Sequence, residues 1–223
     1  MKALLYKEFK LAMHPLCYVF VCLFPFMILI PSYPLAVGFI YILSCYPVLF
    51  LGANKGQQSN DLLYSTLLPV RKKDIVLARM LTVAIMQFAY IIIASCLCPL
   101  ALLIAKSNPG TSPGLTINGF VSILAIAIVG YSLADLIFFP IYYKRGKSIV
   151  LSTLFTIIGF VVYLAVFTIA IPYIPGAEGY KKLLCDSGIG IQFAFLGGAL
   201  VIYVLIHLLV YKVSVKRLGK VDF

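Results

Sequence analysis

The sequence predicts an all-α, polytopic membrane protein with six transmembrane helices, and three observations carry that prediction. First, charge is missing over long distances. No Asp, Glu, Lys or Arg falls in Leu11–Asn54, Met80–Ala105, Ser107–Ala134, Ser148–Ala177 or Ser187–Tyr211. Second, each of the last four stretches holds a run of ~20 apolar residues, the length that crosses a bilayer. The first stretch is long enough for two runs, divided by Pro31-Ser32-Tyr33-Pro34. Third, the basic residues sort by loop. With the N-terminus inside, 15 of the 18 Lys and Arg fall on the inner side, and only Lys106, Lys181 and Lys182 lie outside. That bias sets the orientation by the positive-inside rule, with both termini cytoplasmic.

Composition supports the same class. The chain is 63% hydrophobic and 11% charged, with mean hydropathy +1.07, which excludes a soluble domain with a polar surface. The formal charge of +11 reflects topology and anionic lipid headgroups, and it gives no reason to invoke nucleic acid as a partner. The 223 residues are expected to form one membrane domain over 1–223, with no room for a soluble catalytic domain.

Taken in order, Met1–Met13 reads as a short amphipathic helix lying in the inner interface. Leu4, Leu5, Phe9 and Ala12 form its apolar stripe, and Lys2, Lys7 and Lys10 reach lipid phosphate. The apolar run that follows has no small-residue cleavage site and passes into a second span. It therefore reads as a retained first helix rather than a signal peptide. Spans one and two, about Pro15–Ile30 and Leu35–Ala53, form a tight hairpin. Span three runs to about Ala105, span four over about Leu115–Ile141, span five over Ser148–Ile171 and span six over Ile189–Tyr211. The outer segment 172–188 carries Glu178, Lys181, Lys182 and Asp186. Pro25, Pro47, Pro99 and Pro140 each remove an amide donor from a span and kink it. Gly190, Ala194 and Gly198 form a small-residue stripe on span six, expected to pack within the subunit or at a dimer seam.

The longest inner connection, 54–79, departs from a plain bundle. Ser59 and Asn60 are good N-caps, and Asp61 suits a first turn. Leu62, Leu63, Leu67 and Leu68 recur at helical spacing beside Tyr64, and Pro69 ends the helix. Arg71-Lys72-Lys73-Asp74 opens the next helix, which enters the membrane through Ile75, Val76 and Leu77. A short apolar-faced helix, tethered at both ends to membrane helices, is either a lever for a soluble partner or a lipid anchor.

The residues Leu63-x-x-x-Leu67-Leu68-Pro69-Val70-Arg71-Lys72-Lys73-Asp74-Ile75-Val76-x-Ala78-Arg79 resemble the loop between helices two and three of ABC-2 type permeases. These are the six-helix membrane subunits of ATP-driven exporters. Phe139-Pro140-Ile141-Tyr142-Tyr143-Lys144-Arg145-Gly146-Lys147 is similar to the end of helix four in the small bacterial branch that includes phenol-soluble-modulin exporters. Met1-Lys2-x-Leu4-Leu5-x-Lys7-Glu8-Phe9 is similar to that branch's amphipathic start. The resemblance implies that the 54–79 loop carries a coupling helix seated on an ATPase, with Leu62, Leu63, Tyr64, Leu67, Leu68, Pro69 and Arg71 as coupling residues. It also implies two cytoplasmic ATPase subunits that bind ATP and Mg, a second identical or sister permease subunit, and a bacterial cell-membrane location.

No cofactor or metal site is expected in the chain itself. Gly146-Lys147-Ser148 matches only the end of a phosphate-binding loop, because the first glycine would stand where Ile141 does and no strand precedes it. Cys96 and Cys98 point ~200° apart on a helix and cannot share a metal. No catalytic pair or nucleophile motif is present. Polar residues within spans are few. Asp135, Gln87 and His207 each sit ~7–14 Å inward of the inner charge belt at 1.5 Å per residue. They are read either as a polar layer at the inner end of a pathway or as a structural set in which His207, Gln87, Ser132 or Lys144 satisfies Asp135. Export of a hydrophobic or amphipathic substrate, peptide or drug-like, fits so apolar a chain with such short outer loops. Two rivals stay open, an ATP-independent carrier and a non-transporting scaffold or immunity protein.

Overall fold

A computed structural model describes residues 2–13, 15–29, 70–107, 117–145, 149–166 and 189–220. All regular structure among them is helical: α1 (Lys2–Lys7), α2 (Pro15–Leu23), α3 (Lys72–Ser107), α4 (Ile117–Arg145), α5 (Ile149–Ala165) and α6 (Ile189–Leu218), with a π-helical turn at Glu8–Ala12 and a 3-10 helix at Phe24–Leu29. Span two, the 59–68 helix and the outer segment 172–188 lie outside the described residues.

Three helical stretches are long and apolar enough to cross a membrane: Lys72–Ala101, Leu124–Lys144 and Gly190–Leu218. A fourth exists if the N-terminal pair Lys2–Lys10 and Pro15–Phe26, bent by 83°, is counted as one span. Leu151–Tyr163 in α5 is a shorter apolar helix. The described helices thus show a membrane protein, and three such spans lie among the described residues.

Helices α3 and α6 each bury one stripe and turn the rest outward, whereas α4 is buried or half-buried nearly all round. On α3 the buried stripe is Val76, Met80, Val83, Met86, Tyr90, Ala94, Cys98 and Ala101, at spacings of three and four. Its opposite face shows Leu81, Ile85, Phe88, Ile92 and Leu103. An exposed apolar face of this kind is unfavourable in water and natural in lipid. Side-chain contacts fix the directions. Arg79 of α3 meets Tyr142 of α4, and Gln87 meets Asp135, so these helices are antiparallel. Asp135 meets His207 and the Pro140 carbonyl meets Arg217, so α4 and α6 are parallel. Tyr163 of α5 donates to the Ile126 carbonyl of α4 at 2.8 Å, which places α5 antiparallel to α4. The basic start of α3 and the basic ends of α4 and α6 therefore share one end of the bundle, and α1 joins them there.

Three details differ from the sequence expectations. At the N-terminus Leu4 and Glu8 are buried and Leu5 and Phe9 half-buried, while Tyr6 and Lys10 are exposed and bonded to each other at 2.7 Å. After Lys7 the chain widens into a π-helical turn, Glu8–Ala12, before Met13 becomes extended. Helix α6 runs two turns past Tyr211, because Ser214 and Leu218 continue its buried stripe and Lys216 and Arg217 suit the negative end of the helix dipole. The Gly190–Ala194–Gly198 stripe is exposed, and a methyl group added at Gly190 or Gly198 would meet nothing within 4 Å. The buried face of α6 is instead Gln192, Ala199, Tyr203, Val210, Ser214 and Leu218.

A different glycine makes the close contact. A methyl group on Gly130 of α4 would lie 2.7 Å from the Phe160 ring of α5 and 3.1 Å from the Tyr163 ring. Without that side chain, α5 lies against α4 at a distance that allows the Tyr163 hydroxyl to reach the helix backbone.

Candidate functional site

The long apolar spans leave little for polar side chains to do except find each other, and three helices bring four of them together. Gln87 from α3 and Asp135 from α4 are both 0% exposed. Tyr203 and His207, one turn apart on α6, close the set. The bonds run in one direction. The Tyr203 hydroxyl donates to Gln87 Oε1 at 2.6 Å, and Gln87 Nε2 donates to Asp135 Oδ2 at 3.0 Å. His207 Nε2 stands 3.0 Å from the same Oδ2.

The other imidazole nitrogen decides where the protons lie. His207 Nδ1 is 3.0 Å from the Tyr203 carbonyl oxygen, an acceptor, so Nδ1 carries a hydrogen. Nε2 then faces a carboxylate oxygen. Two bare acceptors at that distance repel, so one proton lies between them, on the ring or on the carboxyl group. Either placement leaves the pair without net charge, which removes most of the cost of a carboxylate among membrane helices. Rings shield the knot: Tyr203 stacks on His207 with centroids 4.0 Å apart, and Phe88 meets Tyr203 edge-on at 5.3 Å. Asp135 Oδ1 is buried without a hydrogen-bond partner among the described residues.

The residues singled out from sequence fare differently. Gln87, Asp135 and His207 converge. The other two expected partners of Asp135 do not take part: Ser132 donates to the Val129 carbonyl at 2.7 Å, and Lys144 is exposed at the end of α4. Tyr203 was missed. Its only signal was its place four residues before His207, on one helix face. Arg71 is exposed just before α3, and its carbonyl accepts the Asp74 amide at 2.8 Å, closing the first turn. Leu62, Leu63, Tyr64, Leu67, Leu68 and Pro69 lie outside the described residues, as does Gly146-Lys147-Ser148. No group of three or more His, Cys, Asp or Glu able to hold a metal occurs among the described residues.

Chemically, the knot offers no exposed nucleophile and no open face for a substrate in this conformation. A slide of α3 by one residue, about 1.5 Å, would stretch the Gln87 bonds to both neighbours at once.

A family model described as "ABC-2 family transporter protein" matches residues 3–217. The search of curated proteins found no match, and neither did the search of solved structures.

Proposed function

Because the chain belongs to the ABC-2 transporter family, and so is a membrane permease of an ABC transporter, we propose that it exports a hydrophobic or amphipathic substrate, peptide or drug-like, using energy from separate ATPase subunits. Permeases of this family are the non-catalytic membrane part of the machine, and ATP with Mg would be bound by the partner chains. Two such permease domains, identical or sister, would form the pathway along their interface in the cell membrane, with both termini of each in the cytoplasm. The N-terminal helix would sit at the inner membrane interface.

The observation that carries this reading is the match over 3–217, which includes the 54–79 connection. Energy enters through that connection. The 59–68 segment is read as the coupling helix, and it leads through Arg71 into α3, a single helix of 36 residues, about 54 Å. An unbroken helix from Lys72 to Pro99 carries a displacement from the cytoplasmic face deep into the bilayer without needing a second element. The polar knot lies on its path. In this reading Gln87, Asp135, Tyr203 and His207 hold the resting register of α3 against α4 and α6, and they exchange bonds when α3 moves.

Changing Leu63 and Leu67 together to Asp tests the coupling role. In vesicles holding the permease and its ATPase, we expect ATP-dependent efflux of an amphipathic peptide probe to fall at least tenfold while the protein stays inserted. Unchanged efflux with unchanged ATP hydrolysis contradicts the role.

A further inference from the structure

A second set of charges is sealed from solvent where α1, α3 and α4 meet. Glu8 is 4% exposed and Arg79 is 2% exposed. Arg79 Nε donates to Glu8 Oε2 at 3.0 Å and Nη2 donates to Glu8 Oε1 at 3.2 Å, a two-bond fork. Nη1 donates to the Tyr142 hydroxyl at 2.9 Å, and the guanidinium carbon lies 5.9 Å from the centre of that ring. Lys7 adds a second positive charge 3.9 Å from Glu8 Oε1. The partners are 71 and 63 residues from Arg79 in sequence, so tertiary structure alone brings them together.

Position gives the cluster its meaning. Arg79 stands in the second turn of α3, directly after the 54–69 segment. Apolar contacts slide, whereas a planar guanidinium with three directed bonds sets distance and angle together. Neither charge can regain water in place, so separating them is costly and moving together is cheaper. We infer that Arg79 is the joint through which displacement of the 54–69 segment passes to the N-terminal helix and, by way of Tyr142, to the inner end of α4. This makes Arg79 and Glu8 positioning residues for transport, and the inference rests on the coupling role proposed above.

Spin labels at three exposed positions, Lys10, Lys72 and Lys212, test it in a cysteine-free permease bound to its ATPase, with and without ATP and vanadate. The 72–212 distance reports whether the start of α3 moves. The 10–212 distance reports whether α1 follows. We expect nucleotide to shift both distances in the parent protein. Arg79→Lys keeps the charge and loses the fork, and Glu8→Gln keeps the shape and loses the charge. Each should retain the 72–212 shift and abolish the 10–212 shift, and the exchanged pair Glu8→Arg with Arg79→Glu should restore it. A purely structural bridge would lower the melting temperature in the single variants and leave both shifts in place, and that outcome overturns the joint. Absence of any 72–212 shift in the parent protein overturns the coupling reading itself.

Discussion

Asp135 needs an acceptor-and-donor neighbourhood more than it needs a charge. Its Oδ2 takes one hydrogen from Gln87 and shares another with His207, and an asparagine whose side-chain oxygen takes that place keeps both contacts when the His207 ring carries a hydrogen on Nε2. Asp135→Asn should therefore leave the melting temperature within a few degrees of the parent. Asp135→Leu strands the Gln87 amide and the His207 ring, at a cost of about 1–3 kcal/mol, and should lower it clearly. Thermal unfolding of the purified variants in one detergent decides the point, and an equal fall for both would mean that the negative charge itself is required. The three rare polar residues were legible because a chain with so few charges inside its spans exposes each exception. Tyr203 was not, since tyrosine is common here, at 15 residues, and its hydroxyl becomes informative only when a partner is placed beside it. Glu8 and Arg79 were hidden for a different reason. Each falls where interfacial charge is expected, and only the fold shows that they face each other.

Among the elements, charge gaps located α3, α4 and α6 well, because apolar length is a direct physical requirement of the bilayer. Their ends were harder. The last two turns of α6 are amphipathic, so a rule based on hydrophobicity stops at Tyr211 while the helix continues along α4. Spacing alone did not reveal the close contact between α4 and α5. The stripe Gly190–Ala194–Gly198 looks like a packing face but is exposed, whereas the lone Gly130 seats the Phe160 and Tyr163 rings. Gly130→Ala gains about 1 kcal/mol of helix propensity but forces apart two packed rings, an overpacking cost of about 1–3 kcal/mol. It should melt at or below the parent temperature and weaken the α4–α5 contact. At Gly159 the obstacle is the Ile137 Cδ1 methyl, which the added carbon would meet. That methyl is the free end of a flexible side chain, so Gly159→Ala should be neutral or slightly stabilising. Matching melts of the two variants check the contrast, and the reverse order would show that the α4–α5 contact is not set at Gly130.

For the whole molecule, membrane residence and family follow from different kinds of information. Residence follows from composition and the basic-residue bias, which are properties of the entire chain. Family follows from order, namely which spans carry which inner loops, and the match over 3–217 covers that order. Substrate is not legible from either, because the apolar pathway proposed above would impose few directed bonds, and directed bonds are what a sequence motif records. The polar knot and the Glu8–Arg79 cluster both grip α3, one at the inner end and the other about two turns deeper, so α3 is the element whose movement both would have to obey. In the proposed reading a separate ATPase supplies that movement. Affinity purification of the tagged chain from its own cells in mild detergent tests it most directly. We expect an ABC ATPase to remain bound through washing and to hydrolyse ATP in the eluate. Recovery of the chain in folded form, with no ATPase attached and no ATP hydrolysis, would contradict the claim.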